Sequence, residues 1–147
     1  MYKHILVPTD GSALSLKAAR SAVALAAKVG AKLSAVYVIE PYLPPTGGDG
    51  MFFYADAYSA KDYEKLMGGV AKKALERLSR VTRGAKWSTF TVVDAQPWKG
   101  IIKAAKAKKC DLIVMASHGR RGLAGVILGS ETAKVLTHSK IPVLVCR

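Results

Sequence analysis

The chain lacks most of the features that announce a function. Its 147 residues include only 2 cysteines, Cys110 and Cys146, with no C-x-x-C spacing. That argues against a disulfide framework or structural zinc, and a reducing, cytoplasmic setting is the simplest account. No apolar run approaches the roughly 20 residues that span a bilayer, so no membrane segment is expected. The opening Met1-Tyr2-Lys3-His4-Ile5-Leu6-Val7-Pro8 is too short and too soon interrupted for a signal peptide. His4, His118 and His138 lack metal-ligand spacing. No Gly-Lys-Ser/Thr follows a glycine-rich loop, so a Walker A loop is missing. Gly48-Asp49-Gly50 has no third glycine at the spacing of a dinucleotide fingerprint, and no G-x-S-x-G elbow points to a serine hydrolase.

Acidic residues are also scarce: 10 against 23 basic ones, for a formal net charge of +13. Such an excess invites polyanionic partners. The basic residues are nonetheless spread along the whole chain. The nearest approach to a stripe is Lys72, Lys73, Glu76, Arg77, Arg80 and Arg83, then Lys99, Lys103 and Lys106. Its spacing is helical and reads as solvated outer faces. No aromatic–basic interleaving offers bases a stacking platform, so a nucleic-acid partner is not expected.

What is present is a regular alternation of short apolar runs and longer amphipathic segments. Strands are predicted at Lys3 to Val7, Lys32 to Ile39, Trp87 to Val93, Leu112 to Ala116 and Pro142 to Cys146. A helix is predicted from Ser12, a candidate N-cap, to about Val29, with Leu16, Ala19, Val23 and Ala26 on one face and Gly30 stopping it. A second runs from about Ala60 to Val81, with Tyr63, Met67, Val70, Ala74, Leu78 and Val81 in register and Gly68-Gly69 weakening it. Pro97 opens a third, with Ile101, Ile102 and Ala105 inward, and Ser130 to about His138 makes a fourth. Pro41, Pro44, Pro45, Gly47, Gly48 and Gly50 mark a long loop from Glu40 to Ser59. Length and composition fit one domain, residues 1–147.

Alternation of this kind predicts an α/β fold, a parallel sheet with helices on both faces. Ligands of such sheets bind at the carboxyl ends of the strands. Those ends carry Pro8-Thr9-Asp10, Val38-Ile39-Glu40, Asp94 and Ala116-Ser117-His118-Gly119, so Asp10 and Gly119 are expected to face one crevice.

The stretch Asp111 to Ser130, DLIVMASHGRRGLAGVILGS, carries the most information. A buried strand, a glycine-bearing loop and a helix N-terminus present free N–H groups and a positive dipole end to an anion. Gly119 and Gly129 allow positive φ or close approach of a ligand, Ser130 can cap or donate, and Arg120 and Arg121 add charge. The other reading is a plain βα loop with structural glycines. Asp10 either meets a ribose hydroxyl or a phosphate-bound Mg²⁺, or accepts N–H groups of its own turn. His118 is either a proton donor or an orienting, loop-packing residue.

Taken together, Ile5-Leu6-Val7-Pro8-Thr9-Asp10-Gly11-Ser12, Met115-Ala116-Ser117-His118-Gly119 with Gly129-Ser130, and Ile141-Pro142-Val143-Leu144-Val145 resemble the universal stress protein family over the whole chain. The resemblance implies a Rossmann-like, adenine nucleotide alpha hydrolase-like sheet in strand order 3-2-1-4-5, usually as a homodimer. The family's ATP-binding branch carries Gly-x-x-Gly, nine residues, then Gly-Ser/Thr, a frame that falls here on Ala116 to Gly119 and Gly129-Ser130. By that resemblance Pro8, Thr9 and Asp10 line the ribose and adenine side, Val38 offers its backbone to the adenine edge, and Met115 packs near the ring. Gly119, Gly129 and Ser130 then hold the phosphates of ATP, with Mg²⁺ on Asp10 and with His118, Arg120 and Glu131 around the loop. Ala116 departs from the pattern, where a methyl replaces the first glycine, and Glu131 sets a negative charge beside the phosphates.

The implied function is a cytoplasmic, nucleotide-dependent stress-response protein. No dedicated nucleophile or water-activating base is apparent, so turnover is not expected to be its main role. Adenylating enzymes on related sheets add signatures that are not found here. In the implied order the last strand, Val143 to Cys146, is an open apolar edge suited to pairing with its twin across a two-fold axis. Met51-Phe52-Phe53-Tyr54 is read either as a lid or as packing on the core.

Overall fold

The computed structural model describes residues 1–43, 59–119 and 128–147. In chain order the elements are β1 (His4–Pro8), α1 (Ala13–Val29), β2 (Lys32–Ile39), α2 (Ala60–Val81), β3 (Trp87–Val93), α3 (Pro97–Ala107), β4 (Leu112–Ala116), α4 (Ser130–His138) and β5 (Val143–Cys146). The five strands form one parallel sheet in the order β3-β2-β1-β4-β5, as the resemblance implied.

Strand alternation divides the interior into two layers. Ile5, Val7, Leu33, Ala35, Tyr37, Leu112 and Val114 meet α1 and α2 on one face. Leu6, Val36, Ile113 and Met115 meet α3 and α4 on the other. The central strands are buried on both faces, which is why their sequences read as continuous apolar runs. On α1 the buried stripe is wider than predicted, because Ala18 and Ala22 join Leu16, Ala19 and Ala26. Alanine carries too little hydrophobicity for the period to reveal it.

The helix ends follow local chemistry. Ser12 caps α1 by accepting from the Ser15 amide at 3.2 Å, and Gly30 ends it in the left-handed region at φ 71°. Ser59 caps α2 in the same way, accepting from the Asp62 amide at 3.1 Å. Helix α2 continues through Gly68-Gly69 unbroken. Gly100 lets α3 lie close against β2: a Cβ there would stand 2.8 Å from Val38 Cγ1. Cys110 is buried between α3 and β4, where burial and then the neighbouring Asp111 push its thiol up to about 11, an inert packing residue.

Candidate functional site

The carboxyl edge of the sheet gathers the residues singled out above, but it treats them differently. At the end of β1 the chain turns tightly into α1. Thr9 is buried; its amide donates to the Val36 carbonyl at 2.9 Å, and its hydroxyl accepts from the Gly11 amide and pairs with the Ser15 hydroxyl at 3.0 Å. Asp10 Oδ1 accepts from the Ser12 amide at 2.9 Å. Gly11 sits at φ 78°, where a side chain would be strained and its Cβ would meet Ala74 at 3.2 Å. This turn satisfies its own donors, so the Thr9 side chain belongs to the turn.

The second carboxylate oxygen of Asp10 reaches across to β4. A Cβ on Gly119 would lie 2.6 Å from Asp10 Oδ2. The structure therefore places Asp10 directly beside Gly119. The glycine is required there by close approach rather than by backbone sign. Neither Gly119 nor Gly129 is among the positive-φ residues, and Gly129 sits at φ −72°. The positive-φ option raised for both glycines is thus corrected. A Cβ on Gly129 would press the His118 Cα at 3.1 Å.

Gly129 also closes the loop that begins at β4. Its amide donates to the Ser117 carbonyl at 2.7 Å, while the Ser117 amide donates to Cys146 on β5 at 2.7 Å. The Gly129 N–H is thereby spent on the protein. The amides left at the head of α4 are those of Ser130, Glu131 and Thr132, since the first intrahelical bond runs from Ala133 to the Gly129 carbonyl at 2.9 Å. Among the described residues no side chain caps this helix. Ser130, the first residue of the helix, is exposed.

Two neighbours of that helix end have roles the sequence did not announce. Thr132 is buried and its hydroxyl donates to the Ala116 carbonyl at 2.9 Å, tying the first turn of α4 to the end of β4. Glu131 turns away from the crevice: Oε2 accepts from the Trp98 amide at 2.9 Å and Oε1 meets Lys134 Nζ at 3.3 Å. Its carboxylate thus serves the N-terminus of α3, where Pro97 has no N–H to satisfy. A hydroxyl in the first turn was the signal for Thr132. Glu131 gave none, because its partner lies 33 residues away.

The remaining candidates distribute as follows. Val38 is half-buried. Val36 accepts from Thr9 and Ile39 accepts from Asp94 at 3.1 Å, so alternation turns the Val38 N–H and C=O toward the β1 side, beyond the last β1–β2 pair at Pro8 and Val36. Met115 is buried on the α3–α4 face. Ala116, like Val114 two positions before it, aims its methyl at the α1–α2 layer. His118 Nδ1 lies 3.2 Å from the Ser117 hydroxyl, the arrangement of a loop-packing histidine. Asp94 is occupied: a hydrogen bond from Lys103 at 2.6 Å, then one from the Gln96 amide at 3.0 Å, hold its carboxyl below the usual range. Arg120, Arg121 and the Met51–Tyr54 cluster lie outside the described residues. Among the described residues no three His, Cys, Asp or Glu side chains converge as a metal cage, and no helix is long and apolar enough to cross a membrane.

A parallel sheet of this order, with helices on both faces and Asp10 beside Gly119 at its carboxyl edge, defines a Rossmann-like α/β protein. The chain belongs to the universal stress protein family, whose sequence model matches residues 1–147. It is 33% identical over 153 residues to universal stress protein MJ0531 of Methanocaldococcus jannaschii, covering 100% of this chain and 83% of that protein. It is 31% identical over 149 residues to universal stress protein YxiE of Bacillus subtilis, covering 100% of both. Among solved structures, protein MJ0577 of M. jannaschii superposes with a TM-score of 0.78 at 28% identity, covering 99% of this chain and 96% of that one. A universal stress protein in complex with cAMP superposes with a TM-score of 0.67 at 28% identity, covering 99% and 97%.

Proposed function

We propose that this universal stress protein binds ATP at the carboxyl edge of its sheet and acts in the cytoplasm as a nucleotide-dependent stress-response protein. The observation that carries the reading is the head of α4, whose Gly129 packs against His118 while the next residue, Gly119, packs against Asp10. Among the described residues no side chain caps the three backbone amides there, while α1 and α2 are each capped by a serine. Phosphates on the Ser130, Glu131 and Thr132 amides would satisfy that end. The ribose would lie between Pro8, Asp10 and Gly119, and the adenine edge would meet the Val38 backbone, with Met115 beneath. The cAMP-bound relative supports an adenine nucleotide as the ligand class. Glu131, drawn toward Trp98, does not oppose the phosphate charge directly.

Asp10 suits a Mg²⁺ held jointly with phosphates, since such ions take one or two carboxylates and otherwise use water and phosphate oxygens. When bound, the ion would screen the charge of the triphosphate. The Ser117 hydroxyl that meets His118 is buried, which does not suit a nucleophile, and in this reading occupancy rather than turnover is the working state. The apolar edge of β5, with Leu144 exposed at 43%, further supports a homodimer through that strand.

Isothermal titration with ATP and Mg²⁺ tests the reading: saturable heat is expected, and none at millimolar ligand overturns it. Replacing Leu144 by lysine should shift sedimentation from dimer to monomer.

A further inference from the structure

The scatter of basic residues along the sequence conceals a convergence in space. Between α1 and the end of α2 lies an open cleft of about 600 Å³, lined by Arg20, Val23, Arg80, Val81, Thr82 and Arg83. Both helices start at the carboxyl edge of the sheet and run back along it, so Arg80 and Arg83, at the end of α2, lie toward the opposite edge from the head of α4. We infer that this cleft is a second anion site, built from Arg20, Arg80 and Arg83 to hold an oligophosphate chain.

Three observations carry the assignment. First, the three arginines come from separate places, one from the middle of α1, one from the last turn of α2 and one from the turn after it, yet line one hollow. Second, none of them pairs with a described carboxylate; the ion pairs among the described residues engage Lys72, Lys103 and Lys134. Like charges that line one hollow with no described counter-charge favour an anion there. Third, the end of α2 does not call for these guanidinium groups. The Leu78 carbonyl already accepts from the Thr82 amide at 3.2 Å and the Thr82 hydroxyl at 2.7 Å. Guanidinium forks match phosphate oxygens in pairs, and three such forks suit a di- or triphosphate better than a single phosphate.

The two tryptophans allow the sites to be read separately. Trp87 Nε1 donates to the Thr82 hydroxyl at 2.8 Å, on the wall of the cleft, whereas the Trp98 amide is held by Glu131 at the head of α4. In Trp98→Phe protein, inorganic triphosphate should change Trp87 emission saturably and more weakly as salt rises. Exchanging Arg20, Arg80 and Arg83 together for alanine should weaken that binding at least tenfold while the circular dichroism stays unchanged, because all three side chains are exposed. Unchanged affinity in the triple variant, or an equal Trp87 response to sulfate at matched ionic strength, would overturn the assignment. A Ser130→Asp background, which blocks the α4 end, identifies the source. Persistent ATP binding there, lost with the arginines, means that the chain is carried by a nucleotide; binding of free triphosphate alone means an inorganic one. Failure of the nucleotide reading would appear instead in Trp87→Phe protein, as silence of Trp98 toward ATP.

Discussion

Helices α1 and α4 start at the same edge of the same sheet, one after β1 and the other after β4. Each follows a buried strand and a turn that contains glycine. At α1 the turn closes on itself: Ser12 caps the helix, Asp10 holds the Ser12 amide, and Thr9 links to Gly11 and Ser15. At α4 the protein spends one amide, that of Gly129, on closing the loop, and among the described residues no side chain caps the next ones. The comparison separates two uses of similar sequence. Residues that satisfy their own backbone build a wall, and a helix end left unsatisfied is a place for something else.

The most disruptive way to test that contrast is to close the α4 end deliberately. Ser130→Asp places a carboxylate in the first turn, where it suits the helix dipole and opposes a phosphate. ATP affinity should fall roughly 100-fold, about 2.7 kcal/mol, measured by titration calorimetry. Thermal stability should hold or rise by about 0.3–1 kcal/mol. A variant that loses stability and binding together would instead make Ser130 structural.

Gly119→Ala attacks the point where the two turns meet. The added Cβ would stand 2.6 Å from Asp10 Oδ2, so the carboxylate must move. Crowding of this kind costs about 1–3 kcal/mol. Both the denaturation midpoint and ATP affinity should drop. Ser12→Ala, at the wall, should remove about 1 kcal/mol of stability through loss of the cap and leave ATP affinity within twofold. If Ser12→Ala weakened ATP as much as Gly119→Ala, the α1 turn would be part of the binding surface and the contrast would fail.

Much of this was legible in the sequence because it rests on periodicity. The five apolar runs and four amphipathic segments gave element order, and the strand ends gave the adjacency of Asp10 and Gly119. What stayed hidden depends on contacts between distant segments. The Glu131 carboxylate was read as a charge beside the phosphates, yet it reaches to α3 and serves the Trp98 amide, a partner no local spacing predicts. Gly119 and Gly129 were recognisable as special, but sequence does not distinguish a glycine needed for φ from one needed for room. Arg20 stands 60 positions before Arg80, so only the packing of α1 on α2 makes them neighbours.

The smallest effect is expected at the amino edge of the sheet, which offers a control for a carboxylate with a purely architectural task. Asp111, just before β4, accepts from the Lys3 amide at 2.8 Å and the His4 amide at 2.9 Å, fastening the start of β1. Burial pushes its carboxyl up, but the His4 and Lys3 amides outweigh that and the net shift is downward. A carboxyl held below its unfolded value of about 3.9 contributes stability that is present above that pH and is lost as pH falls through the folded value. Asp111→Asn keeps one acceptor oxygen, so at neutral pH it should cost about 0.5 kcal/mol, the low end for a hydrogen bond. Below about pH 4 its denaturation midpoint should fall less steeply than that of the parent. ATP affinity at neutral pH should not change, because this carboxylate lies at the opposite end of β4 from Gly119. Equal acid sensitivity in the two proteins would assign the acid transition to other carboxylates and leave Asp111 as a fastening whose charge is immaterial.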